Sequence, residues 1–102
     1  MIARIWRSTT TLSNPEGYQE YLNRFIVPAY QTAEENQGVY VMKECQGELT
    51  HFLLLTLWAS DESLEKYTGT VNDVVNPVPE ERDLLVAFES TARRYRVIKS
   101  TA

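Results

Sequence analysis

The chain has 102 residues, which allows one domain, 1–102, with a core of moderate size. Ten Lys and Arg against fourteen Asp and Glu give a net charge of −4 without a clustered basic tail, so a nucleic-acid surface is excluded. A single cysteine, Cys45, and a single histidine, His51, exclude an internal disulfide framework and a His/Cys metal site within one chain.

The chain opens on a predicted strand, Ile2–Ser8, with Ile2, Arg4 and Trp6 on one face and Ala3, Ile5 and Arg7 on the other. Thr9–Ser13 reads as a connection. A helix is expected from Ser13 or Asn14, because Pro15 suits a first turn and Ser13 with Glu16 has the spacing of a capping box. Its apolar face would run Tyr18, Leu22, Phe25, Ile26 and Tyr30, with Pro28 kinking or restarting it. Gly38 opens a second strand, Val39–Cys45, and Gln46-Gly47 reverses the chain into a third, Leu49–Trp58. Ser60 can cap a short helix carrying Leu64 and Tyr67, which Gly69 would stop. Val71, Val74 and Val75 have the spacing of one more helical turn before Asn76-Pro77. Pro77–Arg82 reads as a loop, Leu84–Phe88 as ambiguous, and Arg93–Lys99 as the last strand.

In order this is β-α-β-β-α-β, a ferredoxin-like α+β fold whose four-stranded antiparallel sheet carries both helices on one face. One feature departs from that simple layout. In the third strand Leu53, Leu55 and Leu57 occupy one face and Phe52, Leu54 and Trp58 the other, so both faces are apolar. Each fully buried Leu stabilises by roughly 1.5–3 kcal/mol relative to exposure, a large share of a small domain's stability. The helix-free face therefore calls for a cover, and a second copy related by a two-fold axis, giving a homodimer, is the simplest one.

Several segments resemble the antibiotic biosynthesis monooxygenase-like family. They are Met-Ile-Ala-Arg-Ile-Trp-Arg at the start, Gly38-Val39-Tyr40-Val41, and Leu55–Glu62 with its Leu-x-Leu-Trp-x-Ser-x-Glu pattern. Pro79-Glu80-Glu81-Arg82 and Arg94-Tyr95-Arg96-Val97 are similar to its closing segments. The resemblance implies a dimeric α/β barrel and, among the activities of that family, oxygenation of aromatic or quinol substrates without a cofactor. Haem degradation is the family's other chemistry. The resemblance places its axial His near Val71–Pro77, where this chain has none.

Oxygenation without a cofactor needs a substrate anion, an apolar site and a few donors aimed at the developing charge. Trp6, Trp58 and Tyr67 are the expected substrate-binding residues; for Trp6 and Trp58 a core aromatic at a strand position is the simpler reading, and for Tyr67 the packing residue of an amphipathic turn is an equal one. For proton handling or anion stabilisation the candidates are His51, the only imidazole, and Asn72. His51 lies near the Gly47 turn, where a solvated edge position is the simpler reading. Cys45 reads as a buried inert thiol, Glu80, Glu81 and Asp83 as solvated charges, and Arg94 and Arg96 as partners for carboxylates across a dimer.

The longest apolar run, Phe52–Leu57, is interrupted by Thr56 and falls far short of the roughly 20 residues of a membrane span. Met1–Arg7 is too short and too Arg-broken for a signal peptide, so a cytoplasmic protein is expected. No metal or organic cofactor is called for. Two functional readings stand at this point: a cofactor-independent monooxygenase of a small aromatic or quinol-type substrate, and a non-catalytic dimeric module that binds a small hydrophobic ligand.

Overall fold

A computed structural model describes residues 1–11 and 13–101. Strand β1, Ile2–Thr11, is central. It pairs antiparallel along its whole length with β3, Leu49–Trp58, from Ile2 opposite Trp58 to Thr11 opposite Leu49. Strand β2, Asn36–Gln46, pairs antiparallel with the far side of β3. The reversal between them is Gly47-Glu48, with Gly47 at φ 62, a left-handed conformation that costs glycine least. The expected Thr9–Ser13 connection is instead strand as far as Thr11, because Thr9, Thr10 and Thr11 extend the ladder with His51, Thr50 and Leu49. Leu12, within that range, lies outside the described residues.

The fourth position of the sheet is filled by two short strands, β4 (Ala87–Phe88) and β5 (Arg93–Arg96), both antiparallel to β1. Their registers differ by two residues: Ser8 faces Phe88, whereas Ile5 faces Arg93. The reason lies in the intervening segment. Val75 N–H donates to Ser90 O at 2.9 Å, Ala92 N–H donates to Asp73 O at 2.8 Å, and Val74 bridges Thr91. These bonds also correct the expected helical turn over Val71, Val74 and Val75. Its backbone groups are spent on the sheet edge, and Val71 is exposed.

Helix α1, Pro15–Tyr21, starts with Pro15 in its first turn and Asn14 as its cap. The Ser13–Glu16 capping box does not form, since Ser13 Oγ pairs with Thr11 Oγ1 at 2.6 Å. A π-helical turn, Leu22–Ile26, carries the chain into α2, Val27–Gln31, so Pro28 sits in the first turn of a new segment, where a missing N–H costs least. The wider turn rotates the predicted apolar face, burying Tyr18 and Leu22 but exposing Phe25. Ser60 caps α3, Asp61–Thr68, by accepting from Ser63 N–H, and Gly69 ends it at φ 77. A one-turn helix, α4 (Pro79–Arg82), replaces part of the expected Pro77–Arg82 loop.

All the packed helical residues meet the even-numbered face of β1 and β3. Tyr18 and Leu22 close on Phe52, and Leu64 closes on Ile2 and Trp58 with Tyr30 and Ala33 around them. The odd-numbered face, with Ile5, Leu53, Leu55 and Leu57 half-buried and Tyr40, Met42 and Tyr95 exposed, has no helix over it among the described residues. Among the described residues, no helix is long and apolar enough to cross a membrane.

Candidate functional site

A cavity of about 130 Å³ lies between the sheet and the helices. Its walls are largely apolar: Trp6 from β1, Leu54 from β3, Ile26 from the π turn, Tyr30 from α2, Tyr67 from α3 and Val75 from the loop beyond. Two charged residues also line it, Arg4 and Glu81. The volume is close to the ~150 Å³ in which a protein interior holds one benzene molecule. This is room for a single ring.

Arg4 is the unusual member. The alternation of β1 puts it on the helix-covered face between Ile2 and Trp6, and it is only 7% exposed. Burying a cation costs several kcal/mol unless a partner matches it. The ion pair available is loose: Arg4 Nε stands 3.5 Å from Asp73 Oδ1 and, among the described residues, has no hydrogen-bond acceptor. Asp73 is committed elsewhere, since both its oxygens accept from Arg94, at 2.9 and 3.3 Å. Arg94 also donates to Asp61 at 2.9 Å and Glu65 at 2.7 Å, and these bonds, Asp73's first, push its guanidinium above the ordinary range. The carboxylates expected across a dimer for Arg94 therefore come from its own chain. They tie α3, the 73–75 loop and β5 together behind Arg4.

Glu81 is the second correction to the sequence reading. Rather than a solvated loop charge, it is 7% exposed, and Oε2 accepts from the Tyr18 hydroxyl at 2.8 Å. That hydroxyl in turn accepts from Ser8 Oγ at 3.1 Å. Burial holds the Glu81 carboxyl above its usual range, opposed by the Tyr18 hydrogen bond. Burial also raises the phenols of Tyr30 and Tyr67, with the Arg4 charge working against the shift at Tyr30. Both therefore stay neutral and able to donate a hydrogen bond.

Of the five residues singled out from sequence, Trp6 and Tyr67 line the cavity. Trp58 is fully buried behind it, its ring 5.3 Å from that of Tyr67 and 6.1 Å from that of Tyr30. Both indole donors are already engaged: Trp6 Nε1 donates to Glu89 O at 2.6 Å, and Trp58 Nε1 to Thr56 Oγ1 at 2.9 Å. Trp6 forms part of the wall and Trp58 backs it, and neither offers a free donor.

His51 and Asn72 are elsewhere. His51 is on the helix-free face beside Arg7, Met42 and Leu53, with Nδ1 2.9 Å from Thr9 Oγ1 and Nε2 2.9 Å from Gln46 Oε1. Asn72 is exposed, and its Oδ1 accepts from Val74 N–H at 3.1 Å, which holds the loop turn. Cys45, expected to be buried, is exposed on β2. Among the described residues, no three His, Cys, Asp or Glu side chains converge as a metal ion would need.

The residues missed from sequence are Arg4, Tyr30 and Glu81. Arg4 did leave a signal, a charge at an alternating position shared with Ile2 and Trp6. For Glu81 the signal is tertiary, because only the docking of α4 against Tyr18 buries it.

No family model matches this chain, and no curated protein sequence matches it. Solved structures do. A dimeric ferredoxin-like protein from an uncultured marine organism superposes with a TM-score of 0.68 at 14% identity, covering 99% of this chain and 96% of that one. A candidate antibiotic biosynthesis monooxygenase from Bacillus cereus gives 0.66 at 13% identity, covering 99% and 94%. MhuD, the haem-degrader of Mycobacterium tuberculosis solved with two haems in its active site, gives 0.57 at 17% identity, covering both chains completely (100% of each). A porphyrin does not fit the one-ring cavity of the present chain as it is folded. At these identities the likeness is one of architecture: the chain has the ferredoxin-like α+β fold of the antibiotic biosynthesis monooxygenase-like proteins.

Proposed function

We propose that this protein is a homodimeric, cofactor-independent monooxygenase of a small hydroxylated aromatic substrate, with residues 1–102 acting as a single domain. The observation that carries the reading is Arg4, a buried guanidinium whose Nε has no hydrogen-bond acceptor among the described residues, on an aromatic-walled cavity of one-ring size. Such a site favours a flat apolar ligand that bears one negative oxygen. A phenolate has that form, and it is the electron-rich species that reacts with dioxygen. It passes one electron to dioxygen, the two radicals join through a new C–O bond, and loss of water leaves a quinone. The overall change is one phenol plus one O₂ to one quinone plus one water. Arg4 stabilises the anion, Tyr30 and Tyr67 donate to it, and Trp6, with Trp58 packed behind the cavity, holds the ring in an apolar wall.

The dimer is proposed to form through the helix-free face, where Leu53, Leu55, Leu57, Tyr40 and Met42 offer an apolar surface. The dimeric ferredoxin-like neighbour supports a dimer, and the apolar surface is what assigns it to this face. An unpaired, exposed Cys45 agrees with a reducing compartment such as the cytoplasm.

Oxygen uptake with a panel of small hydroquinones and phenols tests the reading. Wild type should consume oxygen, and Arg4→Met should lose about 10²-fold or more of the rate, the scale for an oxyanion donor. Trp58→Ala and Tyr67→Phe should lose less. Background rates for wild type and all three variants would leave a binding module in place of an enzyme.

A further inference from the structure

We propose that Glu81 is the proton acceptor of the cavity: it takes the hydroxyl proton of a bound phenol and leaves the phenolate against Arg4. This inference rests on the reading of the cavity as a phenol site and adds to it the form in which substrate enters, the neutral phenol. Among the described residues Glu81 is the one carboxylate on the cavity wall, and Asp73, behind Arg4, is taken up by Arg94. His51 is on the other face of the sheet with both ring nitrogens engaged, and Asn72 spends its oxygen on the Val74 N–H.

The surroundings of the carboxylate suit the role. Oε2 is held by Tyr18, itself held by Ser8, which fixes the rotamer of the acceptor. Oε1 has no donor among the described residues. The groups facing Glu81 are Arg4 and Ser8 from β1, Tyr18 and Tyr21 from α1, and Tyr30 from α2, with Glu80 and Arg82 on its own turn. Arg82 Nε is bonded to Pro77 O at 2.9 Å, so Arg4 is the cation on the cavity wall. The burial that raises the carboxyl also brings its proton affinity nearer to that of a phenol, which makes transfer between them feasible.

In the step itself the phenol O–H bond breaks, the proton goes to the Glu81 carboxylate, and the electron pair stays on the phenolate oxygen. One negative charge is present before and after. Nothing is oxidised until dioxygen arrives. Two anions beside a single cation do not share so small a cavity, so the pair holds one proton between them.

That constraint supplies the test, with 4-nitrophenol as the probe at a pH where it is already the phenolate in solution. Wild type should take up about one proton per probe bound, because Glu81 must protonate when the anion enters. Calorimetry in two buffers of different ionisation enthalpy reads that number. Glu81→Gln should bind the probe with no proton uptake. Tyr18→Phe keeps the carboxylate but loses a donor that favours its charged form, so the pH at which uptake sets in should move up. This second variant carries the test if Glu81→Gln does not fold. Binding to wild type without proton uptake, or unchanged uptake in Glu81→Gln, would overturn the inference while leaving the phenol site standing. No binding at all would remove both.

Discussion

Arg4 is held where hydration alone would not put a guanidinium. Its neighbours are aromatic rings, and the nearest carboxylate, Asp73, is turned toward Arg94. Glu81 is the matching case among the acids, buried and bonded to a phenol rather than to a cation. The energetic consequence of Glu81 has a definite sign. Its folded-state carboxyl binds a proton more tightly than the unfolded one, so its contribution is most favourable below the ordinary carboxyl range. As the pH rises from there through the raised folded value, stability is lost. Glu81→Gln should therefore narrow the fall in melting temperature between about pH 4.5 and about pH 8 relative to wild type. A difference between the two pH values equal to that of wild type would show that Glu81 is not the group responsible.

At the scale of elements, α3 does more for the site than its eight residues imply. It presents Leu64 to the core and Tyr67 to the cavity, and it supplies Asp61 and Glu65 to Arg94. A helix this short has little intrinsic stability and relies on its ends. Ser60 satisfies the Ser63 N–H at 3.2 Å, and the Ser63 side chain reaches back to Ser60 N–H, at 3.1 Å. Ser60→Ala should cost about 1 kcal/mol, measured by denaturant unfolding, with an unchanged slope. A loss below a few tenths of a kcal/mol would mean that packing alone holds α3. The break between β4 and β5 belongs to this scale as well. The chain gives up two sheet positions so that the 73–75 loop can dock, which brings Asp73 between the two arginines and Val75 to the cavity.

For the molecule as a whole, the consequential feature is a sheet with two apolar faces and, among the described residues, helices over only one. The uncovered face includes Leu53, Leu55 and Leu57 across from Ala3 and Ile5 and beside Tyr40 and Met42. Charging its middle should separate the proposed dimer: Leu55→Asp is expected to halve the mass seen by light scattering at micromolar concentration while far-ultraviolet circular dichroism is retained. A wild-type protein already monomeric at that concentration would remove the proposed assembly.

Sequence alone determined the order of the elements, the hairpin at Gly47, the caps at Ser60 and Gly69, and the two-sided apolar strand. Each of these rests on neighbours in the chain: a period of two, a turn residue, a cap three positions from its partner. The π turn before Pro28, the split last strand, the one-turn helix at Pro79 and the buried Glu81 came only from the tertiary structure. They depend on contacts between segments far apart in sequence, such as Tyr18 with Glu81 and Asp73 with Ala92. The candidate site divides in the same way. Trp6 and Tyr67 could be read from local pattern, whereas the placing of a buried cation and a buried acid on one small cavity exists only when β1, α3 and α4 have closed around it.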